Sequence, residues 1–299
     1  MPPDPRLALL ESERRRLAGL AYRMTGSVAE TEDILQQAWL RLAAQDLARL
    51  EHPRRWLAAV VTRLCLDQLK SARARRERYV GAWLPDPLVE DRAPDAEESW
   101  MAAEEVGIAL VLTLDRLGPE MRAAFLLRDA FDYGFDEIAA VVGRSPAACR
   151  QLVSRARRRL AGAEPVPRRP LAEDAPIVEA FWQASRSGDM QALLELFTAE
   201  IEVHADGGGR VPASLNVLHG RRRAAGLFAG LAKKRPRPLP PFPGLSRISG
   251  APGFVTLEPG NVLQTTALGI RGGRIAAVWI TRNPEKLGHL AMPVPPGRG

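Results

Sequence analysis

Cysteine is nearly absent from this chain: only Cys65 and Cys149 occur among 299 residues, far apart and outside any CxxC pairing. A disulfide framework and a cysteine-based zinc site are thereby excluded. Long apolar runs are missing as well. No stretch approaches the ~18 to 20 residues of a membrane-spanning helix, and the opening MPPDPRLALLESERRR holds an apolar segment too short for a secretory signal. No His/Cys/Asp cluster has metal-ligand spacing, no glycine run is followed by the Lys-Ser/Thr of a phosphate loop, and no internal repeat is visible. These absences leave the expectation of a soluble, cytoplasmic chain with no metal and no cofactor.

What is present is basic charge. Forty-two Lys plus Arg against thirty-five Asp plus Glu give +7 and a pI near 10.1, a balance that suits an anionic partner. The length is about twice that of a typical domain, so two or three domains are expected. The charge is unevenly placed. Residues 1–163 carry 25 basic and 24 acidic side chains, whereas 164–299 carry 17 and 11. Within the nearly neutral half, 63–78 holds six basic and two acidic residues, 144–159 holds six basic and none acidic, and 84–98 holds six acids with only Arg92. The acidic stretch contains Pro85, Pro87 and Pro94, which forbid a continuous helix. A second proline-rich stretch, GAEPVPRRPLAED, follows at 162–174. The organisation read from this is 1–80, an acidic proline-containing linker 81–98, 99–162, a linker 163–174, 175–290, and a flexible tail 291–299.

The first two segments read as helical. Ser27 and Glu30 form a capping box ahead of Ile34, Leu35, Ala38 and Leu42 at helical spacing. Pro53 opens another helix with Trp56, Val60 and Leu64 on one face. The sharpest local pattern is FDEIAAVVGRSPAACRQLVSRARRRL at 135–160. Ile138, Val141 and Val142 supply a buried face, Gly143 a sharp turn, and Ser145-Pro146 a cap and first-turn proline for a second helix. Leu152, Val153 and Ala156 then point inward, which leaves Arg150, Gln151, Ser154, Arg155 and Arg158 on the outer face. That is how a helix-turn-helix offers Arg and Gln to base edges and Arg or Ser to phosphates. Arg144 and Ser145 at its entry join the same candidate surface. Cys149, on this helix, reads as a small buried hydrophobe rather than a redox switch. In the other basic block, phosphate contact is the favoured role for Arg73, Arg75, Arg76 and Arg78. Trp56 would stack on an unpaired base if exposed, although composition favours a core position.

The third segment changes character. IVEAFWQASRSGDMQALLELF is helical, and VLQTTALGI, RGGR and IAAVWIT read as strand, tight turn and strand. KKRPRPLPPFP at 233–243, with five prolines and four cations, reads as a loop. The result is an α+β domain. His204 and Asp206 are its acid–base candidates, but His204, alternating with Ile201 and Val203, reads as a satisfied structural histidine, and Asp206 before three glycines reads as a tight turn.

The motifs SVAETEDILQQAWLRL, HPRRWLAAVVTRLCLDQLKSARARRERY and LDRLGPEMRAAFLLRDAFDYGFDEIAAVVGRSPAACRQLVSRARRRL, in this order, closely resemble bacterial extracytoplasmic-function sigma factors over residues 10–162. The resemblance implies a first module that binds the core RNA polymerase clamp and opens the −10 promoter element, and a second that reads the −35 element. The acidic linker would thread the RNA channel of the polymerase. By position, Asp33, Gln36 and Gln37 match the clamp-binding helix, while Arg63, Asp67, Lys70 and Arg73 match the helix at the −10 element. Arg150, Ser154 and Arg155 match the −35 helix. Glu30-Thr31-Glu32-Asp33 stands where many relatives have Asp-Ala-Glu-Asp, which keeps the acidity.

The third domain resembles the cone-shaped SnoaL-like α+β fold. The expected fold class is therefore multi-domain, with two all-α helical domains (sigma region 2 and a helix-turn-helix sigma region 4) followed by that cone. Trp83, Leu84, Pro85, Asp86 and Pro87, together with Asp206, Gly207, Gly208, Gly209 and Arg210, and with Asn283, Pro284, Lys286 and Leu287, look like the subgroup whose SnoaL-like extension replaces a separate anti-sigma protein. The resemblance implies an intramolecular regulatory contact. Trp83 is then an interface anchor or, alternatively, a cap on the first helical module. The C-terminal excess of positive charge is expected to hold the acidic linker, a contact that salt would loosen. The protein itself would not be an enzyme. Two readings compete with a sigma factor: a helix-turn-helix regulator that does not replace sigma, and a ligand-binding or enzymatic cone domain merely targeted to DNA.

Overall fold

The computed structural model describes residues 4–76, 79–90, 107–161, 170–235 and 238–290, with the side chains of 71–76 outside the description. The second part of the acidic linker (91–98), most of the second linker and the tail 291–299 therefore lie outside it. The described chain forms two compact units, one built from the segments 1–78 and 98–164, the other from 79–97 and 165–299.

In the first unit, α1 (Pro5–Thr25), α2 (Val28–Ala43) and α3 (Pro53–Arg76) bury a common face. Leu17, Leu20, Ala21 and Met24 recur at helical spacing on α1 and are fully buried, against Leu42 of α2 and Leu57 and Val61 of α3. Ser27 caps α2, its Oγ accepting the Glu30 N–H at 3.4 Å. Four further helices follow, α4 (Ile108–Asp115), α5 (Pro119–Asp129), α6 (Phe135–Val142) and α7 (Pro146–Leu160). Gly143, in the left-handed region at φ 74°, ends α6, and Ser145 Oγ accepts the Ala148 N–H at 3.2 Å to start α7.

The two helical modules, read from sequence as separate and tethered, pack as a single unit. Arg122 of α5, 3 % exposed, donates to the Met24 carbonyl at the end of α1 and pairs with Asp115 at 2.9 Å. The Tyr133 hydroxyl donates to the Arg55 carbonyl at 2.5 Å. Both contacts satisfy helix-end or backbone carbonyls with side chains more than 70 residues away, so no local pattern announces them.

The second unit is the expected α+β domain. Its helices α8 (Leu171–Ser187), α9 (Met190–Leu196) and α10 (Arg221–Ala232) accompany strands β1 (Phe197–Asp206), β2 (Leu218–His219), β3 (Ser246–Ile248), β4 (Ala251–Glu258), β5 (Val262–Arg271) and β6 (Arg274–Thr281), before a final turn of helix α11 (Pro284–Leu287). α8 opens at Leu171, inside the stretch read as linker. The sheet order is β2-β1-β6-β5-β4-β3, with β1 parallel to β6 and all other pairs antiparallel. An aromatic cluster fills the space between helices and sheet. Phe181 of α8 meets Phe228 of α10 edge-on at 5.1 Å, and Trp182 meets Phe254 of β4 at 5.1 Å. Phe242 of the proline-rich loop packs on the same cluster, 5.9 Å from Trp182.

Residues 84–89 belong to this unit and are buried in it. They run beside β3: Val89 bridges Ile248, the Ser249 N–H donates to the Leu88 carbonyl at 2.6 Å, and Ser249 Oγ accepts the Leu88 N–H at 3.0 Å. The linker thereby covers one edge of the sheet.

Candidate nucleic-acid interface and linker clasp

On α7, Cys149, Val153 and Ala156 face the core, and Arg150, Gln151, Ser154, Arg155 and Arg158 are exposed and line one shallow concavity. Leu152 is half-buried. The offsets of one, four, five and eight residues from Arg150 form a single stripe of a 3.6-residue helix. Not every cation of the block is on offer. Arg144 is held in a two-bond pair with Glu120 at 2.9 and 3.0 Å, and Arg157 pairs with Asp129 at 2.6 Å. Ser145 spends its hydroxyl on the helix cap. The Cys149 thiol is pushed up by burial, which suits a core side chain.

On α3, Trp56 is half-buried and Arg63 is exposed, with the Arg63 guanidinium donating to the Ala140 carbonyl of α6 at 3.0 Å. Asp67 and Lys70 pair at 2.9 Å on the surface. The side chains of Arg73, Arg75 and Arg76, and residue Arg78, lie outside the description. Beside this row, Arg55 donates to Glu137 at 2.5 and 2.6 Å, and Glu137 in turn accepts the Gly134 N–H at 2.7 Å. The Arg55 guanidinium holds the Glu137 carboxyl below the usual carboxylate range. On α2, Asp33, Gln36 and Gln37 are exposed, and Leu40, one turn further along the same face, is 63 % exposed. Leu40 escaped the sequence reading. Its signal was an apolar residue seven positions after Asp33, on the polar stripe of an otherwise amphipathic helix.

The second cluster is built around Asp206, the last residue of β1 and fully buried. Its Oδ1 accepts the Tyr79 hydroxyl at 2.5 Å and the Gly208 N–H at 3.0 Å; its Oδ2 accepts the Leu84 N–H at 2.9 Å and pairs with Lys286 Nζ at 2.9 Å. Lys286, 8 % exposed, also donates to the Leu84 carbonyl and lies 4.5 Å from the Trp83 ring centre and 5.0 Å from that of Tyr79. Asp206 and Lys286 thus grip both backbone groups of one linker residue, as a neighbouring strand would. Asn283 caps α11, its Oδ1 accepting the Glu285 N–H at 3.1 Å, and donates to the Tyr79 hydroxyl at 2.9 Å. His289 bonds the Pro87 carbonyl at 2.9 Å. Burial, reinforced by the bond to Asp206, holds the Tyr79 hydroxyl well above the usual tyrosine range.

The glycine run belongs to this clasp. Gly208 has φ 59°, and a Cβ there would lie 2.2 Å from Asn283 Nδ2; at Gly207 it would lie 2.2 Å from the Val211 carbonyl oxygen. Arg210 closes the outside through an exposed pair with Glu285 at 2.8 Å. Trp83 touches Lys286, and Leu84 to Pro87 are buried. Among the described residues the charges of the cone domain reach the linker in two ways: Asp206 and Lys286 act on its backbone, and Arg247 pairs with the linker's Glu90 at 3.5 Å. Tyr79 was not singled out by the sequence, because its partners lie 127 and 204 residues away.

His204 is held by Glu202 at 3.0 Å, and neither it nor Asp206 lines the cavity of the cone. Asp206 is a hub of structural bonds rather than a base. Among the described residues no group of three His, Cys, Asp or Glu could hold a metal, and no helix is long and apolar enough to cross a membrane.

The family model for sigma-70 region 2 matches residues 9–75, and that for sigma-70 region 4 matches 108–160. Over 286 residues the chain is 36 % identical to the ECF RNA polymerase sigma factor SigJ of Mycobacterium tuberculosis, covering 92 % of this chain and 91 % of the relative. This chain belongs to the extracytoplasmic-function sigma factor family. It is also 30 % identical over 303 residues to the probable ECF RNA polymerase sigma factor SigI of the same species, with 96 % of each chain covered. The crystal structure of SigJ superposes with a TM-score of 0.73 at 31 % identity, covering 95 % of this chain and 99 % of that one.

As an ECF sigma factor the chain directs transcription initiation and is not itself an enzyme. The region 2 match spans α1 to α3 and the region 4 match spans α4 to α7. The six-stranded α+β unit is the SnoaL-like domain of this sigma factor, and the similarity to SigJ runs through it.

Proposed function

We propose that this sigma factor contacts core RNA polymerase through the outer face of α2, with Asp33, Gln36, Gln37 and Leu40. We further propose that it engages the −10 element along α3 and reads the −35 element with α7. Its place of action is then the cytoplasm, where polymerase and promoter DNA meet. The observation that carries the reading is the α7 stripe: three arginines, a glutamine and a serine, all exposed and free of any acid. Such a stripe fits the major groove, with Arg suited to guanine and Gln to adenine. Arg144 and Ser145 support it as structural residues that fix the entry of α7.

The test is reconstituted transcription with purified core polymerase. Arg155→Ala is expected to weaken promoter binding by about 1–3 kcal/mol and to relax preference at one −35 position if it reads a base. Leu40→Asp is expected to lower affinity for core polymerase at least about tenfold, as loss of an apolar anchor does, with the melting temperature unchanged because Leu40 is exposed. Initiation from no promoter in a genomic pool would remove the reading.

The SnoaL-like domain regulates this activity in cis, in place of a separate anti-sigma protein. The clasp withholds residues 79–90, which a sigma factor's linker needs when it enters the polymerase. Support comes from the grip of Asp206 and Lys286 on Leu84. Lys286→Met should therefore raise promoter output at equal protein concentration. Unchanged output with a demonstrably open clasp would separate the clasp from regulation.

A further inference from the structure

The cone domain encloses a cavity of about 600 Å³ between its sheet and helices α8 and α10, within the size range of small-molecule sites. Much of its lining is apolar: Phe181, Leu227, Phe228, Leu231, Phe254 and Ile280. Four cations, Arg186, Lys234, Arg235 and Arg282, also line it, against one carboxylate, Glu258.

That carboxylate is already saturated. Arg186, 5 % exposed, grips it at 2.6 and 3.0 Å, Arg235 adds a bond at 3.0 Å, and Thr256 Oγ1 another at 3.0 Å. Two guanidiniums therefore share one negative charge. Arg282 is the more telling residue. One of its terminal nitrogens donates to the Pro212 carbonyl, and its Nε is buried without a hydrogen-bond partner. A buried guanidinium N–H left unmade is costly, and surplus positive charge beside an apolar wall is costlier still. An anion that met the terminal guanidinium nitrogens would offset the surplus charge. A carboxylate fits best, since it meets a guanidinium fork with two parallel bonds.

We propose that this cavity is a binding site for an amphipathic organic carboxylate, its apolar body against the phenylalanines and its head at Arg282. The one carboxylate among the described lining residues, Glu258, is fully engaged by Arg186, Arg235 and Thr256, which suits a site that binds rather than converts. It also abuts the clasp, because the Arg282 N–H donates to the Asp206 carbonyl at 2.7 Å.

The experiment uses the full chain and three probes followed by calorimetry: octanoate, 1-octanol and acetate. Octanoate should bind saturably with a dissociation constant at least about tenfold below that of 1-octanol, a difference of about 1.4 kcal/mol, and acetate should bind too weakly to saturate. Arg282→Gln should erase the preference for octanoate over octanol while leaving octanol binding unchanged, and Leu227→Trp, which puts a bulkier side chain in the lining, should abolish both. Equal affinity for octanoate and octanol in the unaltered chain would overturn the assignment without recourse to any variant. So would octanoate binding that survives both substitutions, or an absence of saturable octanoate binding at millimolar concentration.

Discussion

Lys286→Met tests the clasp at the point where its physics is most exposed. The substitution keeps an unbranched apolar stem and removes the ammonium. Asp206, fully buried, would keep three donors, the Tyr79 hydroxyl at 2.5 Å, the Leu84 N–H at 2.9 Å and the Gly208 N–H at 3.0 Å. Breaking a buried pair from one side ordinarily costs ~3–5 kcal/mol, and the three surviving donors hold the loss towards the lower figure. The Leu84 carbonyl loses its Lys286 donor, a further ~1–3 kcal/mol if no water replaces it. Together the two lower the local opening free energy by about 4 kcal/mol, which corresponds to nearly a thousandfold in the opening equilibrium. Amide hydrogen exchange reads this directly, because the Leu84 and Leu88 N–H groups are each fixed by one bond within the clasp. Exchange at both should accelerate roughly 10² to 10³-fold, or to complete loss of protection, while amides in α7 stay as they were. Arg210→Ala supplies the contrast. Its pair with Glu285 is about two-thirds exposed on both sides, and such pairs contribute ~0–1 kcal/mol. Adding Asp206→Asn to Lys286→Met removes the stranded charge, so the double variant should lose less than the two single losses combined, with a coupling of ~1 kcal/mol or more. Strict additivity, or protection at Leu84 within about threefold of the unaltered chain, would refute the view that this pair holds the linker.

Two further outcomes follow from titratable groups. Tyr79 has its hydroxyl held above the usual tyrosine value near 10, so its contribution to the clasp is complete below about pH 10 and is lost as pH rises through the higher folded value. Limited proteolysis at 79–90 should therefore grow in the unaltered chain above that pH, and Tyr79→Phe should open more at neutral pH yet show a smaller alkaline step; the same step in both proteins would exclude Tyr79 as a source of it. Glu137 is held below the usual carboxylate range by Arg55, so its contribution is complete above about pH 4.5 and is lost as pH falls through the lower folded value. Because Glu137 also caps α6 through the Gly134 N–H, Glu137→Ala should destabilise the helical unit in urea by ~1–2 kcal/mol, and Arg55→Ala, which leaves the cap in place, by distinctly less. Equal losses would show that the cap contributes nothing.

Features decided within one turn of chain were legible in the sequence. The α6–turn–α7 motif needed only a glycine that tolerates a left-handed backbone, a serine cap, a first-turn proline and a stripe of outward polar residues, all inside 26 positions of local pattern. The strand pair β5–β6 was announced in the same way by its glycine turn. Features decided by distant partners were not. Arg122, one of two cations on an amphipathic helix, gives no hint that it reaches the end of α1. The DGGGR run looked like a turn because its glycines permit one; that they also make room for Asn283, 75 positions later, is visible only in three dimensions. Net charge misled for a related reason. Summation discards position, and the +6 surplus of the C-terminal half says nothing of one lysine and one aspartate that cancel and yet hold the linker.

That cancellation has a mechanical consequence. A linker held by surface charges would be released by salt, since exposed charges are screened within about 8 Å at physiological ionic strength. The Asp206–Lys286 pair is buried, so screening reaches it poorly, and what it recognises is the N–H and carbonyl of Leu84, groups that every non-proline residue carries. Selectivity for this segment must then come from side chains: Tyr79 and Trp83 around the lysine, and Leu84, Leu88 and Val89 buried against the sheet edge. The polar bonds are nearly balanced by the bonds to water that they replace, so releasing the linker chiefly means re-exposing those apolar side chains. A competitor that covers them, as a hydrophobic groove would, opens the clasp where salt does not.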